Sequence, residues 1–344
     1  MIFFNCDYNE GAHERILQRL METNMEQTVG YGEDAYCQKA AELTLQECQA
    51  PEADVHFLVG GTQANLTVIA AALRPYEGVL TADTGHINCH ETGAVEATGH
   101  KVLALPGRNG KIRAEQVREA VRSHREDPSF EHIVKPGMVY ISNPTEIGTI
   151  YHKGSLGKLY EACKECGLYL YIDGARLGYG LAARDNDLDL PFIARHCDVF
   201  TIGGTKMGTL FGEAVVITNP ELQKDFRYMI KRQGGMLAKG RLLGIQFLAM
   251  FEDGLYYRLG EHADEQAMRI KHALIEAGCN FSFSSSTNQQ FPVLSDAKLK
   301  KLSEIYAFSY WERVDEHYSM VRICTSWATK TEDVDALIRD IQNL

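Results

Sequence analysis

A single lysine occupies an unusual setting at Thr201-Ile202-Gly203-Gly204-Thr205-Lys206-Met207-Gly208. An apolar run precedes it and small residues frame it, so one amine is presented where a planar ligand could approach closely. The plain alternative is a surface lysine in a turn. Asp173, within Tyr171-Ile172-Asp173-Gly174-Ala175-Arg176, ends a second apolar run. A carboxylate there has no packing role and wants a cationic partner; a protonated pyridine nitrogen would serve, and so would Arg176. A third run leads into Gly60-Gly61-Thr62-Gln63-Ala64-Asn65. Glycines at a strand-to-helix turn let backbone N–H groups, with the Thr62 hydroxyl, hold a phosphate. Thr62 as an ordinary helix cap explains the same residues. The segment is neither G-x-G-x-x-G nor a Walker loop. Of twelve histidines, none joins Cys or Asp at metal-ligand spacing.

These residues need a scaffold, and the chain alternates short apolar runs with amphipathic stretches. Strands are predicted over 55–59, 101–105, 138–142, 168–173, 198–202 and 214–218, with helices over 64–72, 114–123, 153–166 and 191–196. That alternation predicts an α/β fold with a mostly parallel sheet, its strand C-termini along one ligand-binding edge. After about Gly234 the pattern changes. Helices over 238–250 and 257–277 precede short strands at 290–292 and 320–324 and helices over 297–306 and 332–343. The division expected is an N-terminal segment 1–14, a large domain 15–236 and a smaller α+β domain 237–344.

A length of 344 residues with 45% hydrophobic and 24% charged residues describes a globular protein with a large core. The net charge of -11, with no basic stripe, speaks against nucleic acid as a partner. No run approaches the roughly 20 apolar residues of a membrane span. Nine scattered cysteines and no basic, apolar leader suggest a reducing cytoplasm. Cys163 and Cys166 form a C-x-x-C, but in a helical stretch with no second pair, where packing thiols are the simpler reading.

The order of these signals — phosphate turn, histidine, strand-end aspartate, glycine-framed lysine — is that of fold-type-I pyridoxal-phosphate enzymes. Along nearly its whole length the chain resembles the threonine aldolase branch of the β-eliminating lyase family. Gly30-Tyr31-Gly32-Glu33-Asp34, His86-Ile87-Asn88-Cys89-His90-Glu91-Thr92-Gly93-Ala94, the Asp173–Arg176 run, Lys206 and Val321-Arg322-Ile323 carry the resemblance. It implies that Lys206 bears pyridoxal 5'-phosphate as a Schiff base, that Asp173 holds the ring nitrogen and that His86 stacks on the ring. Gly61, Thr62, Arg176 and Asn143 complete the implied cofactor site. Arg322 would bind the substrate carboxylate with Arg176, and Tyr31 would reach a neighbouring subunit's site. His132 precedes Asn143 at a spacing seen in threonine aldolases, and the resemblance implies a second base near the substrate hydroxyl; a loop histidine before the 138–142 strand is the plain alternative.

Three departures stand out. Ser142-Asn143-Pro144-Thr145-Glu146 replaces the family's Glu-Asn-Thr-His-Asn; Cys6 falls where the family has a carboxylate-binding serine; and Leu237 falls where a phosphate-binding arginine is common, with Lys239 or Arg241 as substitutes. The implied reaction is cleavage of L-threonine, L-allo-threonine or a related β-hydroxy-α-amino acid to glycine and an aldehyde, by a homodimer or homotetramer. The rivals are another β-eliminating lyase or an aminotransferase on the same fold, and a non-catalytic regulator that holds pyridoxal phosphate.

Overall fold

The computed structural model describes residues 1–343. Seven strands form the central sheet, in the order Asp54–Leu58, Glu213–Ile217, Val199–Gly203, Tyr169–Asp173, Lys135–Ser142, Glu77–Ala82 and Lys101–Leu105. All run parallel except Glu213–Ile217, which is antiparallel to both neighbours. The central strands are apolar at successive positions because helices cover both faces of the sheet. One face packs Val79, Met138, Tyr171 and Val215 against Ala64, Val68 and Ile69 of helix Gly61–Ala72. The other packs Leu80, Val139, Leu170 and Phe200 against helices that include Lys153–Cys166 and Arg241–Phe251.

A smaller antiparallel sheet follows, with Tyr318–Cys324 at its centre and Gln289–Gln290, Pro292–Ser295 and Ser309–Arg313 paired to it. Phe247, Met250, Tyr256 and Ala263 belong to the large core, so that core runs past residue 237. Helix Leu255–Glu276 spans both cores, contributing Leu259 to the first and Ile270 and Leu274 to the second. The N-terminal strand Ile2–Phe3 pairs with Tyr306–Ala307, and Phe4 is buried in the small core. The start of the N-terminal segment thus packs with the smaller unit, while Ala12 packs in the large core.

The strand C-termini at Leu58, Ser142, Asp173 and Gly203 lie along one edge, as right-handed crossovers require. Glycine makes that edge tight. A Cβ on Gly174 would sit 1.9 Å from Thr201 O, and one on Gly203 would sit 2.3 Å from Ala175 O. The glycine beside the Lys206 turn thus serves backbone-to-backbone approach, which draws the Asp173 and Lys206 turns together, and not ligand access as the sequence suggested.

Candidate active site

Two adjoining recesses open at this edge, with volumes of about 110 and 470 Å³. His86, Glu146, Arg176 and Lys206 line both. The inner recess adds Gly61, Thr62, Asn65 and Asp173, and the outer adds Tyr8, Trp311 and Arg322.

Asp173 is buried and held by neutral donors. Tyr140 Oη donates to its Oδ2 at 2.5 Å, Asn65 Nδ2 to the same oxygen at 2.9 Å, and Ala175 N–H to Oδ1 at 2.9 Å. Burial pushes its carboxyl up, but His86 and these hydrogen bonds outweigh burial and leave it below its usual value, hence ionised. Asn65 also donates to Glu91 Oε1 at 2.6 Å and accepts from Tyr171 Oη at 2.6 Å. Nδ1 of His86 bonds the same Glu91 oxygen at 2.8 Å. Burial pulls the His86 imidazole down; the Glu91 bond and the charges of Asp173 and Glu91 prevail, so it favours the protonated form.

Lys206 follows strand Val199–Gly203 on a short 3₁₀ turn, Thr205–Met207. Among the described residues, no carboxylate lies within ion-pairing distance of its amine. Gly60 caps helix Gly61–Ala72 without a side-chain bond, and a Cβ on Gly60 or Gly61 would meet nothing within 4 Å. Gly61 and Thr62 line the inner recess, so the first turn of this helix borders it, the setting a helix N-terminus offers an anion.

Arg176 pairs with Asp7, Nε to Oδ2 at 2.6 Å and Nη2 to Oδ1 at 2.9 Å, and not with Asp173. The simple strand-end ion pair is thereby excluded. Arg322 Nη2 donates to Asn5 O at 2.9 Å, while its buried Nε has no partner among the described residues. Arg322 itself lines the outer recess, where its guanidinium could bind an anionic group.

Several expected residues stand elsewhere. His132 ends the turn Phe130–His132, exposed, ahead of the N-terminal end of strand Lys135–Ser142. At a rise of about 3.3 Å per residue the strand carries it roughly 20 Å from the recess, which the chain's own His132 therefore does not line. Asn143 is buried behind the wall, its Oδ1 accepting the Tyr151 N–H at 2.9 Å; it holds the turn and does not line the recess. Cys6 donates its thiol to Asn9 Oδ1, and its neighbour Tyr8 lines the outer recess instead. Arg241 binds the backbone oxygens of Thr23, Asn24 and Glu26, so it is no substitute for the missing phosphate arginine. Tyr31 lies at a separate recess with His56 and Arg227, its ring 4.8 Å beneath Lys231 Nζ.

Asn65, Tyr140, Glu146 and Glu213 were not singled out in the sequence. Asn65 was legible in principle, since it lies one helical turn after Gly61 on the covered face. Burial pushes the Glu213 carboxyl up to about 8 against the pull of Lys206, and Oε2 has no partner among the described residues. No cluster of three His, Cys, Asp or Glu able to hold a metal occurs among the described residues. No helix is long and apolar enough to cross a membrane.

A mostly parallel sheet with a lysine, an aspartate and a helix N-terminus converging at its C-terminal edge defines the fold-type-I class of pyridoxal-phosphate enzymes. Residues 7–297 match the beta-eliminating lyase family, and the chain belongs to that family. It is 42% identical to Leishmania major threonine aldolase, whose structure superposes with a TM-score of 0.97 over 100% of this chain and 99% of the other. A low specificity L-threonine aldolase of Pseudomonas aeruginosa is 29% identical over 98% of this chain and 96% of its own length. Thermus thermophilus aspartate aminotransferase shares the fold, at 14% identity and a TM-score of 0.72 over 100% of this chain and 91% of the other.

Proposed function

We propose that this chain is a pyridoxal-phosphate-dependent aldolase that cleaves L-threonine, L-allo-threonine or a related β-hydroxy-α-amino acid to glycine and an aldehyde. The observation that carries the reading is the pairing, in one recess, of an amine free of carboxylate partners with an ionised, buried carboxylate whose protein partners are neutral donors and His86. Those groups fit the cofactor. Lys206 would hold its aldehyde carbon, Asp173 its ring nitrogen, His86 its ring face, and the N–H groups of Gly61 and Thr62 its phosphate. When bound, the cofactor supplies an electron sink for the pair left on the substrate's α-carbon.

The chain's own residues do the positioning. Arg322 binds the substrate carboxylate, with Arg176 alongside, and so fixes which bond at the α-carbon is aligned for cleavage. Asp7 keeps Arg176 extended across the floor. Asp173, kept ionised, keeps a ring-nitrogen proton in place. Relatives and a solved structure named as threonine aldolases, matched over almost the full chain, favour the aldolase over the aminotransferase reading.

The working unit is an assembly of at least two copies. Met21, Met25, Val29 and Tyr31 form an exposed apolar run, and Tyr31 lines a recess that Lys206 does not, which supports a role for this stretch between copies. All nine cysteines are free thiols, and burial raises Cys163, which suits a packing role in a reducing cytoplasm.

The test is a substrate panel. Purified protein supplied with pyridoxal phosphate should release glycine and an aldehyde from L-threonine, L-allo-threonine or phenylserine. Transamination or β-elimination products without aldehyde would refute the aldolase reading.

A further inference from the structure

Cleaving a β-hydroxy acid requires a group to take the hydroxyl proton, and the expected candidates fail. His132 is on the opposite edge of the sheet. His86 has Nδ1 bonded to Glu91 and is assigned above to the cofactor's ring face, which leaves it little freedom to turn toward a substrate hydroxyl. The Thr145 hydroxyl is buried in a 2.7 Å bond with Thr149. His90 is exposed and lines only the outer recess.

Glu146 lines both recesses. It thus stands on the same walls as Lys206 in both recesses and as Arg322 in the outer one, beside the space that the remaining substituent of an α-carbon held near Lys206 can enter. The carboxyl is fixed there: Oε1 accepts Ser142 Oγ at 2.6 Å and the His86 backbone N–H at 2.8 Å. A side chain held by two donors is preorganised for proton transfer. We propose that Glu146 is the catalytic base that accepts the substrate's β-hydroxyl proton, an inference that rests on the aldolase reading above.

The step balances without an oxidant. The O–H bond breaks and its proton passes to the Glu146 carboxylate. The electron pair left on oxygen closes the aldehyde carbonyl as Cα–Cβ breaks. The Cα–Cβ pair remains on the glycine carbon until a proton replaces the lost bond. Burial strengthens Glu146 as a base by pushing it above its ordinary value of 4.5, against the Ser142 bond. The charged groups around it are His86, Glu91, Asp173, Arg176, Lys206 and Arg322.

The experiment separates this step from the rest of the site. Exchange of the glycine α-proton for deuterium needs the cofactor, Lys206 and Arg322, but no β-hydroxyl. In holoprotein, Glu146→Gln should lower kcat for L-threonine cleavage by about 10²–10⁴-fold, the usual contribution of a general base. KM, the cofactor absorbance and the glycine exchange rate should each stay within about threefold, which bounds any disturbance of the cofactor or carboxylate sites at under about 0.7 kcal/mol. Glu146→Asp should recover part of the loss, and the acid limb of the wild-type kcat profile should vanish in Glu146→Gln. Cleavage by Glu146→Gln at the wild-type rate would overturn the proposal. Equal loss of cleavage and exchange would also overturn it, showing a merely structural role. A wild type that exchanges glycine but cleaves no β-hydroxy acid would overturn the aldolase reading itself, and this step with it.

Discussion

Asp173 accepts hydrogen bonds on both oxygens, from Tyr140 and Asn65 on one side and Ala175 on the other. Its environment therefore needs an acceptor at each atom, and an amide offers only one. Asp173→Asn sets an N–H against at least one of these donors, with a stability cost of about 1–3 kcal/mol. It also removes the charge that would hold a ring-nitrogen proton. The expected outcome is a folded protein with a lowered Tm and turnover reduced on the order of 10²-fold or more. Circular dichroism melts and steady-state assays check the two effects separately. Near-wild-type turnover would remove Asp173 from the role. Asp173 was legible as a candidate because a carboxylate ending an apolar strand has few other uses, and it does line the inner recess. His132 does not line it, because spacing along a chain is not proximity and a strand of eight residues separates its turn from the recess.

At the scale of elements, the antiparallel strand Glu213–Ile217 brings a carboxyl to the active edge with no partner for Oε2 among the described residues. Burial raises the Glu213 carboxyl from its ordinary 4.5 to about 8. In that interval the unfolded chain has released the proton and the native chain keeps it, so the native state binds more protons and stability falls as pH rises from 4.5 towards 8. Glu213→Gln removes that loss. Its Tm should match or trail the wild type at pH 5 and gain on it progressively up to pH 8; a gap that does not change with pH would contradict this. Strand composition revealed most of the central sheet, yet it carries no sign of direction, so the reversal of Glu213–Ile217 was invisible. Strand Glu77–Ala82 escaped because Glu-Gly at its start and Thr-Ala at its end leave only Val79-Leu80 as a strand signal. Helix Arg241–Phe251 is apolar nearly all round, and such a helix packs in whichever core encloses it, here the one under the central sheet, which periodicity alone does not reveal.

At the scale of the whole molecule, the proposed sharing of sites between copies, motivated by the exposed Met21–Tyr31 stretch, is open to a mixing experiment. Lys206→Ala and Tyr31→Ala, each first shown to be inactive alone, should regain activity when mixed, because one interface then joins an intact Lys206 to an intact Tyr31. No recovery despite proven subunit exchange, or a fully active monomer in sedimentation, would contradict the shared site. The central claim, that this recess is a cofactor site built on one amine, is tested most directly by chemistry. The protein is loaded with pyridoxal phosphate, reduced with borohydride and digested, and the modified lysine is located by mass spectrometry. The wild type should carry the adduct on Lys206 alone, and Lys206→Ala should carry none; an adduct on another lysine, with Lys206 unmodified, would contradict the account.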